Sequence, residues 1–126
     1  MLMSTNLQTI LSPISGDMQA LNGVIRDRLS SEVALINQIS AYIIEAGGKR
    51  IRPALLLLTS QAIANGAPVS HHLDMAAVVE FIHTATLLHD DVVDESTLRR
   101  GRETANAALG NAASVLVGDF LYSRAF

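Results

Sequence analysis

Apolar residues recur along most of this chain at three- and four-residue intervals, and alternation of period two is scarce. The pattern therefore predicts helices rather than strands. From Asp17 to Ala46 the apolar positions Leu21, Val24, Ile25, Leu29, Val33, Ile36, Ile39 and Ile43 keep that spacing. One long amphipathic helix is expected there, with Asp17 as its N-cap. Gly47 and Gly48 end it, since glycine accepts the left-handed backbone of a helix C-terminus. Pro53 suits the first turn of a second helix over 53–65, which Asn-Gly-Ala-Pro then stops. A third helix is expected over 71–95. Apart from Glu80, His83 and two threonines, its residues 75–88 are apolar on every face, so it belongs inside a bundle. A loop, Ser-Thr-Leu-Arg-Arg-Gly-Arg-Glu-Thr, leads to a short helix over 103–109; Gly110 and Asn111 break it, and a last helix begins near Ala112.

The fold class is thus all-α, a helical bundle, and the 126 residues allow one domain at most. Residues 1–16 are expected to be flexible. The last helix ends in mid-pattern on the apolar Phe126, so the chain is read as a partial domain, part of a longer protein.

Composition narrows the class. Hydrophobic residues make up 49% of the chain and charged residues 17%, which fits a folded core rather than a disordered segment. The absence of cysteine removes disulfide frameworks and thiolate zinc sites, and agrees with a cytoplasmic setting. No basic start or sustained apolar run marks a signal peptide, and the longest aliphatic run, at 54–58, is too short for a transmembrane segment. A formal charge of −3 argues against a nucleic-acid partner.

The placement of charge is more informative than its total. Six of the nine basic residues form two clusters: Lys49, Arg50 and Arg52, then Arg99, Arg100 and Arg102. Four of the twelve acids are Asp90, Asp91, Asp94 and Glu95, at the end of the most apolar helix. At 100° per residue, Glu80, His83, Asp90, Asp91 and Asp94 share a stripe roughly 100° wide, with His89 opposite. Such a stripe needs a polar cavity or water, because unpaired buried carboxylates are costly.

Asp90 and Asp94 stand one turn apart with Asp91 beside them. That spacing suits a hard divalent cation, and magnesium prefers a few carboxylates completed by water and phosphate oxygens. The C-terminal end of the helix dipole favours a cation at the same place. Arg99 and Arg100 follow closely, and arginine offers forked donors to phosphate. Gly-Gly-Lys-Arg-Ile-Arg-Pro at 47–53 is not a nucleotide-binding P-loop. It does set Lys49 and Arg52 at a helix N-terminus, where phosphate binds readily. Carboxylates, a metal and arginines around one point describe a diphosphate site.

These stretches resemble the trans-type polyprenyl diphosphate synthases. Residues 47–53 resemble that family's first basic motif. Leu-Leu-His-Asp-Asp-Val-Val-Asp-Glu-Ser-Thr-Leu-Arg-Arg-Gly, at 87–101, resembles its first aspartate-rich motif and the arginine pair behind it. The order and separation match, and the similarity runs from about residue 17 to the end.

The resemblance implies the N-terminal part of an isoprenoid-synthase-type fold. It implies that Asp90, Asp91 and Asp94 hold magnesium against an allylic prenyl diphosphate such as farnesyl diphosphate, and that Arg99 binds that same diphosphate. Lys49, Arg52, His83 and Arg100 would hold the diphosphate of isopentenyl diphosphate. Ionisation of the allylic C–O bond, attack by the second substrate's double bond and loss of a proton would lengthen the chain. Ala85 and Thr86, both small where short-chain synthases tend to carry aromatics, imply a long-chain product of the kind used for quinone side chains. The family is usually a homodimer.

This stretch of sequence holds no second aspartate-rich motif, and Asp119 stands alone. The 126 residues by themselves are therefore expected to be inactive. Three alternatives stand beside this reading: a non-catalytic helical subunit, a short-chain synthase and a terpene cyclase. The two intact anion-binding clusters count against the first. The Lys49 and Arg52 cluster counts against the cyclase, which has no second diphosphate to hold.

Overall fold

The computed structural model describes residues 6–45 and 48–126. Seven α-helices follow one another among them, with one very short hairpin: α1 (Leu7–Leu11), α2 (Ser15–Leu29), α3 (Ala34–Glu45), α4 (Ile51–Ala64), α5 (His72–Val93), β1 (Leu98–Arg99), β2 (Arg102–Glu103), α6 (Ala105–Leu109) and α7 (Asn111–Ala125). The all-α expectation holds. Helix α5 is the central element, packed most extensively on α7 and then on α4 and α2. No helix among the described residues is long and apolar enough to cross a membrane.

Three boundaries differ from the sequence expectation. Where a flexible lead was expected over 1–16, residues from Leu7 onward are helical; a 3₁₀ turn at Ser12–Ile14 delivers Ile14, fully buried, into the core. Asn6 caps α1, its side chain accepting from the Thr9 amide at 2.8 Å.

The single helix expected over 17–46 is two, and Asp17 lies in the first turn of α2 rather than at its cap. Ser30 turns extended (ψ 138°) and α3 begins at Ala34. The Asn37 side chain fastens the break: it accepts from the Ser31 amide at 3.0 Å and donates to the Ser31 carbonyl at 2.7 Å. Serine and asparagine offer the backbone these local alternatives to the helical ladder. The expected stop at Gly47 lies outside the described residues.

The loop after α5 contains the third difference, a two-residue antiparallel hairpin that pairs Leu98 with Glu103 and Arg99 with Arg102. Its turn residues, Arg100 and Gly101, both have positive φ, 53° and 75°. That is the backbone a tight hairpin turn with the correct twist requires. The other breaks fall where expected: Asn65 closes α4 in the left-handed region, and Gly110 (φ 95°) separates α6 from α7.

The core is one cluster. Leu21, Ile25 and Leu29 of α2, Ile36 and Ile39 of α3, and Leu57 of α4 meet Phe81, Ala85 and Leu88 of α5 and Val117 and Leu121 of α7. Where α5 packs on α7, the His89 imidazole occupies the space a Cβ at Gly118 would need.

Candidate functional site

One cavity of about 390 Å³ opens beside α5, and both basic clusters line it. Lys49, Arg50 and Arg52 reach it from the start of α4; Arg99, Arg100 and Arg102 reach it from the hairpin. Helix α5 forms the opposite wall with Glu80, His83, Thr84, Leu87 and Asp91. Charges about fifty residues apart in sequence are thus neighbours around one space. Of the site residues predicted from sequence, Lys49, Arg52, His83, Asp91, Arg99 and Arg100 meet here.

Two links tie the clusters to α5. Arg52 Nη1 donates to His83 Nε2 at 3.3 Å, which needs a neutral imidazole protonated on Nδ1. Burial lowers the His83 pKa; the nearby Arg52 lowers it further, and Glu80 opposes both. The second link is a forked ion pair. Arg99 Nε donates to Asp91 Oδ2 at 3.0 Å and Arg99 Nη2 to Asp91 Oδ1 at 2.5 Å. Asp91 is buried, and its hydrogen bond raises the Arg99 pKa.

Backbone hydrogen bonds and one cap hold the hairpin in place. The Thr104 hydroxyl donates to the Ser96 carbonyl at 2.8 Å while accepting from the Ala107 amide, so it closes the loop and caps α6 together. Asn106 donates to the same Ser96 carbonyl at 2.9 Å. Gly48, read from sequence as part of a helix stop, also makes room: the Arg100 guanidinium lies where a Cβ at Gly48 would be.

The three aspartates do not act alike. Asp90 and Asp94 are exposed, and neither side-chain carboxylate accepts a hydrogen bond or joins an ion pair among the described residues. Asp91 instead faces the cavity with both oxygens taken by Arg99. The expected set of three metal ligands is thus two open carboxylates and one engaged one. No group of three His, Cys, Asp or Glu side chains converges among the described residues. Two carboxylates at the C-terminal end of α5 still fit magnesium, which is usually held by one or two carboxylates with water and substrate phosphate.

Ala85 and Thr86 do not line the cavity. Ala85 is buried in the core, and the exposed Thr86 hydroxyl donates to the His83 carbonyl at 2.7 Å. Thr86 belongs to another face. At three- and four-residue spacing, Asp90, Thr86, Ile82, Val79 and Met75 form one stripe down α5, all exposed or half-buried. Asp90 heads this largely apolar stripe while Asp91 faces the cationic cavity. Arg50 and Arg102, members of the two basic clusters with no role expected from sequence, also line the cavity, as does Tyr42, which no charge or motif singles out.

Comparison with known proteins gives a consistent picture. The family model described as polyprenyl synthetase matches residues 33–126. Octaprenyl diphosphate synthase of Escherichia coli is 57% identical over 121 residues, which are 96% of this chain and 37% of that protein. The crystal structure of a decaprenyl diphosphate synthase from Rhodobacter capsulatus superposes with a TM-score of 0.83 at 53% identity, over 93% of this chain and 36% of that one. A polyprenyl synthase from Caulobacter crescentus, complexed with calcium and isoprenyl diphosphate, gives 0.86 at 48% identity, over all of this chain and 38% of that one. The chain therefore spans little more than a third of the relatives it matches.

Proposed function

Because the chain belongs to the polyprenyl synthetase family, we propose that the protein carrying it is a trans-prenyltransferase. It would condense isopentenyl diphosphate with an allylic diphosphate, such as farnesyl diphosphate, into a long-chain product of the kind used for quinone side chains. The observation that carries this reading is the convergence of six cations from two distant clusters on one cavity beside an aspartate-rich helix end. Two diphosphate substrates would account for two separate groups of donors around one space.

Each part of the site then has a task. Asp90 and Asp94 would hold magnesium, which when bound neutralises the leaving diphosphate and stabilises its departure. Asp91 holds the Nε and Nη2 donors of Arg99, orienting it and offsetting its charge, and the remaining guanidinium N–H groups of Arg99 would meet the same diphosphate. Lys49, Arg52 and Arg100 grip the second diphosphate, with neutral His83 holding the Arg52 guanidinium. The apolar stripe beneath Asp90 suits a growing prenyl chain, which leaves water as it extends. The long product is supported by the octaprenyl and decaprenyl relatives rather than by Ala85. We also propose a cytoplasmic homodimer, on the exposed apolar residues and the family habit.

The test uses the full-length protein with farnesyl diphosphate, labelled isopentenyl diphosphate and magnesium, with products sized by chromatography. Magnesium-dependent long chains are expected, and Asp90→Ala or Asp94→Ala should cut the rate about a hundredfold or more. The 126 residues alone, with one aspartate-rich motif, should make no product. An intact protein that elongates no allylic primer would refute the reading.

A further inference from the structure

Tyr42 of α3 meets the arginine hairpin through both ends of its side chain. Its ring lies 4.2 Å from Arg102 Cζ, and its hydroxyl donates to the Glu103 carbonyl at 2.5 Å. Both partners are the whole of β2, and Arg102 is the register partner of Arg99. The hairpin needs outside support. Two-residue strands are too short to be stable alone. The left-handed backbone of Arg100 is one that a non-glycine residue keeps only under restraint. Arg100 and Arg102 also repel one another across the turn, and the negative face of an aromatic ring gives Arg102 an attractive partner where no carboxylate among the described residues pairs with it.

We propose that Tyr42 is a positioning residue for diphosphate binding: it clamps β2, and thereby holds the Arg99 and Arg100 guanidinium groups at a fixed spacing from Lys49 and Arg52. The inference rests on the diphosphate-binding reading of the cavity. The base of the hairpin is already tied to Ser96 by Thr104 and Asn106. Tyr42 secures the arm beyond that tie. Without it the hairpin stays attached but its arginines lose their register, so affinity falls while the fold persists.

The experiment titrates full-length protein with inorganic pyrophosphate by calorimetry, beside turnover and thermal unfolding, for wild type, Tyr42→Phe and Tyr42→Leu. Tyr42→Phe keeps the ring and loses the hydroxyl. It should weaken pyrophosphate binding about two- to tenfold, the worth of one hydrogen bond, with an unfolding midpoint close to wild type. Tyr42→Leu loses the ring contact as well and should weaken binding about two- to fivefold more. Equal affinity in all three proteins would overturn the clamp, as would lower unfolding midpoints with affinity unchanged. Weakened binding in the variants together with no elongated product from wild type would keep the clamp and sink the transferase reading. A wild type that binds no pyrophosphate would sink both.

Discussion

The Arg99–Asp91 pair offers the sharpest test of how the site is built. Asp91 keeps 7% of its side-chain exposure and Arg99 keeps 42%. Two forked hydrogen bonds to an ionised group would contribute about 1.5–3 kcal/mol each in a dry setting. Solvent around Arg99 screens the charge, so a coupling of about 1–2 kcal/mol is expected for the pair. Removing Arg99 costs more than removing Asp91. Arg99→Leu strands a buried carboxylate and should destabilise by about 2–3 kcal/mol. Asp91→Asn keeps one acceptor for the guanidinium and should cost about 1 kcal/mol. The double variant should lose less than the two losses added together, by roughly the coupling energy.

The assay is urea unfolding of the four full-length proteins with divalent cations chelated. Losses that add within about 0.5 kcal/mol would refute the pair as a stabilising unit. A separate readout bears on Asp91 as an orienting residue: in pyrophosphate titrations Asp91→Asn should retain its response to magnesium, whereas Asp90→Asn should lose it. If both lose it equally, Asp91 is a metal ligand in solution and the division of labour among the aspartates is wrong.

Two further predictions concern His83 and Gly118. The lowered His83 pKa means that the unfolded chain binds a proton at higher pH than the folded one. That part of the stability is complete above the ordinary histidine value of about 6.5 and is lost as pH falls through it toward the lower folded value. Wild type should therefore lose stability in mild acid faster than His83→Gln, and parallel curves would contradict the assignment. Gly118→Ala should destabilise by about 1–3 kcal/mol, since the new methyl group and the His89 ring need the same space. The loss should shrink in a His89→Ala background, and thermal unfolding that leaves Gly118→Ala as stable as wild type would show that α5 and α7 have room to spare.

Local chemistry made much of this protein legible. The apolar repeat marks α5 as central, Pro53 and Asn65 bracket α4 nearly as placed, and the glycine at 110 separates the last two helices. Those features depend on neighbours within a few residues, and a linear pattern carries them. The break between α2 and α3 was invisible for a definite reason. Leu29 and Ile36, both buried, are seven residues apart, a single heptad, so the apolar rhythm continues across a stretch that is not helical. Periodicity registers a phase change, and here there is none. The residue types of the site, acids at the end of α5 and two basic clusters, were equally plain, because charge beside so apolar a helix needs a partner.

Only the tertiary structure decided what each charge does. Asp90 and Asp91 are adjacent in sequence, yet one stands open above an apolar stripe and the other is buried under Arg99, because successive helical residues point about 100° apart. Gly48 looked like a helix stop and proves also to be the space that Arg100 fills. Tyr42 looked like part of an amphipathic helix and proves to grip a hairpin sixty-one residues away. Its ring and its hydroxyl acquire those partners only when α3 packs beside the arginines, and contacts of that kind depend on the distance between elements, which a linear pattern does not encode.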